Sequence, residues 1–158
     1  MAPPPGYVDP RGPRFGAWVT TVVLSLVLLT RSPWLIAAQT LVFATGAAFG
    51  LSKAPYGVLF RRLVAWRLAP PDELEAEAPP RFAQAVGAGF GLVAAIGLAL
   101  DNTVIGLGAT AFALAAAFLN AAFAFCLGCE VLLLARRVLG RAEIIRFVPR
   151  PTSKGASA

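Results

Sequence analysis

The chain is 158 residues long, 58% hydrophobic and only 14% charged, with a mean hydropathy of +0.71. That composition excludes a soluble globular domain and leaves room for one domain with no separate soluble module. The net charge of +6 comes from basic residues that flank apolar segments, not from a basic stripe with interleaved aromatics. Membrane orientation explains them, and nucleic acid is not expected as a partner.

Residues 1–14 hold Pro3-Pro4-Pro5, Gly6, Pro10, Gly12 and Pro13 and predict an extended, disordered arm. Arg11 and Arg14 precede the first apolar segment, a span over about 15–31. A basic start and short apolar stretch also fit a signal peptide, but a second apolar run follows at once, favouring a retained helix. Arg31-Ser32-Pro33 predicts a tight turn, with Ser32 as N-cap and proline at the first helical position. The second span, 34–51, carries no charge, and its Gly46 and Gly50 form a GxxxG pair suited to close helix approach. Residues 52–68 mix Lys53, Arg61, Arg62 and Arg67 with apolar side chains. They predict a short interfacial helix with arginines at lipid headgroups, or a helix packed beneath the bundle.

Residues 69–80 hold Pro70-Pro71, four of the chain's eight acids and Pro79-Pro80, the pattern of a solvated linker. The third span covers 82–100, with Gly87, Gly89 and Gly91 as another close-packing face, and Asp101-Asn102-Thr103 is a polar turn. The fourth run, 104–134, would be about 46 Å long as one helix, against a hydrocarbon core of about 30 Å. It must protrude, tilt or break, and Gly128 is the residue there that most readily breaks a helix. Residues 140–158 predict a disordered basic tail. The fold class is therefore all-α: a four-helix membrane domain over 15–139 with a short cytoplasmic helix between spans 2 and 3. With four spans, thirteen Lys and Arg fall on the side of the termini and Arg31 alone on the other. This asymmetry predicts a multi-pass plasma-membrane protein with both termini cytoplasmic.

The two cysteines, Cys126 and Cys129, lie inside the fourth apolar run, and the chain has no histidine. Imidazole bases and the commonest zinc sites are thus excluded, no metal site is expected, and no motif names a cofactor. Counting back from Arg136, both thiols lie on the cytoplasmic side, which argues against a permanent structural disulfide. In an unbroken helix they share a face with Glu130, but the carbonyl end of a helix disfavours a thiolate. A break at Gly128 would start a new helix there and remedy this. Spacing alone leaves two readings open, a redox or sulfur-carrying dithiol and inert packing. Glu130, the only acid within an apolar run, is a candidate proton acceptor for a thiol or an ion-pair partner of Arg62 or Arg136.

Four stretches carry a resemblance: Val8-Asp9-Pro10-Arg11, Ser32-Pro33-Trp34, Pro79-Pro80-Arg81-Phe82-Ala83-Gln84 and Phe125-Cys126-Leu127-Gly128-Cys129. Together they resemble an actinobacterial membrane family, domain of unknown function 4395, from about Val8 to Leu139. Arg-Phe-Ala-Gln and Cys-Leu-Gly-Cys are its most specific marks. Many members place an aromatic residue soon after the second cysteine, where this chain has Glu130-Val131-Leu132. Genes of related proteins often stand near thioredoxin-like proteins and rhodanese-type sulfurtransferases, so the resemblance implies thiol or sulfane-sulfur chemistry. The expected function is a membrane thiol-disulfide or sulfur-relay protein, with Cys126 and Cys129 as redox centres and Glu130 as proton handler. A thioredoxin-like or sulfurtransferase partner would dock on Arg136 and Arg137, with Arg61, Arg62 and Arg67 adding docking or headgroup charge. The alternatives are a small sulfur-anion permease subunit, built as a homo-oligomer through the GxxxG faces, and a structural subunit of a membrane complex.

Overall fold

Successive apolar runs fold back on one another, and short polar or proline-bearing segments set where each helix ends. The computed structural model describes residues 6–69, 71, 73–139 and 148–149. Among them are β1 (Tyr7–Val8), α1 (Arg11–Thr30), α2 (Pro33–Phe49), α3 (Pro55–Leu63), β2 (Glu73–Ala76), α4 (Ala78–Ala99), α5 (Thr103–Phe123), α6 (Leu127–Val138) and β3 (Val148–Pro149). A single 3-10 turn, Ala65–Arg67, follows α3. Three helices, α1, α4 and α5, are long and apolar enough to cross a membrane, whereas α2 is apolar but only 17 residues long.

The helices close a ring in which α2 packs on α4, α4 on α5, α5 on α1, and α1 on α2. Leu24, Val27, Ile36, Ala94, Leu98, Ala109 and Ala113 form the buried centre. Most other large apolar side chains face outward, among them Trp18, Leu41, Phe112 and Val104. An outward apolar surface of this extent marks a membrane protein. Ser32 caps α2 as its sequence predicts, its hydroxyl accepting from the Leu35 N–H at 3.3 Å. Asn102 does the same for α5 at the Ile105 N–H, 3.2 Å.

Two helices begin earlier than the proline content suggests. α1 starts at Arg11, within the stretch expected to be an arm, and Pro13 occupies its third position. α4 starts at Ala78, with Pro79 and Pro80 in its first turn. The first four N–H groups of a helix have no intrahelical acceptor, so proline removes nothing there. Residues 1–5 lie outside the described ones. The acidic stretch expected as a solvated linker instead contains β2, which pairs antiparallel with β1 (Tyr7↔Ala76, Val8↔Glu75) and with β3 (Glu73↔Pro149, Leu74↔Val148). Of the expected basic tail, 140–158, only β3 lies among the described residues.

Glycines at the α2–α4 contact are used within the chain. A Cβ on Gly46 would lie 3.0 Å from the Gln84 side-chain oxygen, and Gly50, at φ 91°, faces the Glu77 carboxylate. The GxxxG pair therefore holds α4 and is not free to build the oligomer contact considered above. Gly87 and Gly91 face Phe43 and Thr40 of α2, while Gly89 faces open space. The one amide inside α2, Gln39, is 2% exposed and hydrogen-bonded through both its nitrogen and its oxygen. Its Nε2 donates to Thr20 Oγ1 at 3.4 Å, and its Oε1 accepts from the Tyr56 hydroxyl at 2.5 Å. This buried chain of side chains ties α1, α2 and α3 together.

Candidate functional site

The fourth apolar run is two helices, and the break lies before the cysteines. α5 ends at Phe123, and Ala124 takes the left-handed conformation at φ 55°. The Ala124 N–H donates to Asn120 O at 3.1 Å and the Phe125 N–H to Leu119 O at 3.3 Å. The bond from Ala124 to Asn120 is that of a left-handed helix end, here with alanine where glycine is usual. α6 then opens at Leu127 with Cys126 as its N-cap, the Cys126 sulfur accepting from the Cys129 N–H at 3.3 Å. The break expected at Gly128 is therefore found at residues 124–126, and the unbroken helix is ruled out.

Gly128 has a different task. A Cβ there would lie 2.7 Å from both Cα and Cβ of Ala83 in the first turns of α4. Glycine lets the start of α6 rest directly on α4, and α6 contacts α4 far more than it contacts α5. The depth count along one straight helix from Arg136 does not apply, because α6 leaves the line of α5.

The start of α4 is itself locked to the end of α2. Glu77 accepts from the Leu51 N–H at 2.8 Å through Oε1. The Arg81 guanidinium donates to Ala47 O at 2.9 and 3.2 Å and to Ala48 O at 2.9 Å, covering carbonyls that the α2 C-terminus leaves open. Reading the chain as a sequence gave Glu77 and Arg81 only charge-counting roles. The signal for Arg81 was present in the Pro-Pro-Arg-Phe-Ala-Gln stretch, which holds Arg81 for α2 and Ala83 for α6, while Glu77 lies outside it.

Cys126 and Cys129 are joined as a disulfide, with Cα atoms 5.1 Å apart. Both are partly exposed, and Glu130, in the first turn of α6, is exposed. At the N-terminus of α6, unlike the C-terminal end of a long helix, aligned N–H dipoles favour a thiolate. Glu130 forms no ion pair with Arg62 or Arg136: among the described residues the ion pair is Arg11–Asp9, at 2.8 Å. Arg136 and Arg137 occupy the last turn of α6, and Arg61 and Arg62 the last turn of α3. The Arg67 guanidinium stacks 4.6 Å above the Trp66 ring. The helix directions bring these five arginines to the same end of the bundle as the cysteines, although only Arg136 and Arg137 share an element with them.

No curated protein and no solved structure matches the chain. The family model described as Domain of unknown function (DUF4395) matches residues 8–137, a range that takes in α1 through α5, α6 but for its last residue, and both the α4 entry and the cysteine pair. The chain belongs to that family, DUF4395.

Proposed function

We propose that this protein is a membrane thiol-disulfide or sulfur-relay protein working through Cys126 and Cys129. The reading is carried by one observation: a two-cysteine disulfide at the N-terminus of a helix, partly exposed, with the first sulfur accepting a helix N–H. A thiolate of a reduced, thioredoxin-like partner attacks one sulfur of the pair and breaks the Cys126–Cys129 bond. The partner's second thiolate then resolves the mixed disulfide. Two electrons pass to the pair, the partner leaves as a disulfide, and the two partner thiol protons end on Cys126 and Cys129. In the reverse direction the helix N-terminus favours Cys126 as the attacking thiolate. Glu130, exposed one residue beyond Cys129, is the group to receive or return the proton. With a sulfurtransferase partner, the same thiolate would attack the outer sulfur of the partner's cysteine persulfide, breaking its S–S bond, so that a persulfide forms here and the partner's cysteine leaves as a thiolate. Arg136 and Arg137 supply docking charge for either partner.

Helix length and the placement of charge support a membrane setting for this reading. α2, about 26 Å long at 1.5 Å per residue, nearly matches a hydrocarbon core and serves as a fourth span beside α1, α4 and α5. α3 and α6, both amphipathic, lie along the basic face, which the positive-inside rule makes cytoplasmic in the plasma membrane. Thiol alkylation of the purified protein against a glutathione series tests the chemistry. A reversible two-electron transition between about −150 and −300 mV is expected for a working pair. Cysteines that stay paired throughout that range, or alkylate only on unfolding, would reduce the pair to a structural staple.

A further inference from the structure

At the basic end of the bundle, away from the cysteines, the first turns of α1, the length of α3 and strand β2 enclose a cavity of about 600 Å³. That volume is within the range of sites that take small organic molecules, commonly about 300 to 1,000 Å³. Its wall is mostly apolar and includes Phe60, Trp66 and Leu74. Phe60 is held by an aromatic contact with Phe15 of α1, ring centroids 5.7 Å apart. The Arg67 guanidinium stacks on the Trp66 ring.

The polar groups of the wall are few and differ in how fully they are used. Tyr56 spends its hydroxyl on Gln39, and Arg11 is paired with Asp9 and bonded to Ala69 O. Gln84 and Arg61 line the same space, and neither side chain has a hydrogen-bonding or carboxylate partner among the described residues. An apolar chamber lined by one amide and by one guanidinium without a carboxylate partner among the described residues matches a molecule with a long apolar part and one anionic head. The surrounding helices expose apolar side chains, so such a molecule would reach the cavity from the lipid phase.

We propose that this cavity binds a single-chain anionic amphiphile, its carboxylate or phosphate head on Arg61 and its chain between Phe60, Trp66 and Leu74. The site is separate from the cysteine pair and stands whether or not that pair is redox-active. A long-chain fatty acid and an anionic lysophospholipid present the same chemistry.

The test uses the full chain in an uncharged maltoside detergent, with Trp18 and Trp34 replaced by phenylalanine so that Trp66 is the sole tryptophan. Three spin-labelled quenchers are titrated: stearate labelled on its chain, its methyl ester, and labelled lysophosphatidylglycerol. Saturable quenching by at least one of the two anionic probes, displaced by its unlabelled form, is expected; which of them saturates identifies the head as carboxylate, phosphate or either. Arg61→Gln should raise the concentration of that probe at half-quenching about tenfold or more, and Arg61→Lys should restore most of the loss. Ala65→Phe, which fills the chamber, should abolish saturation while leaving the thermal melt intact. Quenching that rises linearly for all three probes, equal saturable quenching by ester and acid, or an Arg61→Gln variant indistinguishable from its parent would each overturn the proposal.

Discussion

Ala124 carries a β-carbon at φ 55°, a conformation that costs an L-residue about 1 to 2 kcal/mol. Intrinsic propensity argues for the opposite, since alanine is the best helix former and Asn120 to Phe125 offers no glycine or proline to stop α5. What offsets the cost is the seating of α6 on α4, and Gly128 makes that seating close. The position stood out in the sequence for the wrong reason: it reads as a breaker, while its work is to present no side chain to Ala83. Gly128→Ala should therefore destabilise the protein by about 1 to 3 kcal/mol, as overpacking does. Adding Ala83→Gly should recover part of the loss, because the two positions touch. Thermal unfolding in detergent of the parent, the two single variants and the double variant reads the coupling. A Gly128→Ala melt equal to the parent's would mean that α6 does not rest on Ala83.

At the scale of elements, the segment least legible in the sequence is the acidic one. Four carboxylates among seven prolines and alanines read as a solvated loop by composition, and composition has no way to register a pairing with Tyr7 and Val8 some seventy residues earlier. The Glu77 N–H donating to Gly6 O at 2.9 Å extends that pairing to the start of α4. One consequence is that Glu75, opposite Val8, is half-buried, and burial pushes its carboxyl above the usual value. Arg14 opposes that push and Asp9 adds to it. A raised folded-state value means that the folded chain holds the proton more tightly than the unfolded one. The Glu75 contribution to stability is thus complete below the ordinary carboxylate range and is lost as pH rises through the raised value. Glu75→Gln, neutral at every pH, should lose this dependence and be at least as stable as the parent near neutrality. Melting both proteins from about pH 4 to about pH 7 isolates the term, since all other titrating groups are shared. A difference between the two melts that stays constant with pH would show that Glu75 titrates in the fold as it does in water.

Over the whole molecule, the apolar runs and the turns at Ser32 and Asn102 were legible because hydropathy and capping are local properties. Where the fourth run splits, and which partners Gly46, Gly50 and Arg81 engage, were not, because each depends on which helix lies opposite. What local reading and folded structure share is the distribution of charge. Arg11, Arg14, Lys53, Arg61, Arg62, Arg67, Arg81, Arg136 and Arg137 lie at the end where α1 and α4 begin, and Arg31 alone lies at the end where α1 stops. Acidic residues weigh little in setting orientation, so Glu73, Glu75 and Glu77 beside these arginines do not cancel the bias. Trp66 on the first end and Trp34 on the second, 67% and 83% exposed, are suited to the two headgroup zones. The orientation can be tested with a single new thiol in a Cys126→Ser, Cys129→Ser background. Thr30→Cys samples the end near Arg31 and Lys53→Cys the basic end, both at exposed positions. A membrane-impermeant maleimide should label the Thr30→Cys protein in intact cells, and the Lys53→Cys protein only after lysis. The reverse pattern would put Cys126 and Cys129 on the outer face, where a lasting disulfide is the ordinary state of such a pair, and a cytoplasmic thiol partner could no longer reach it.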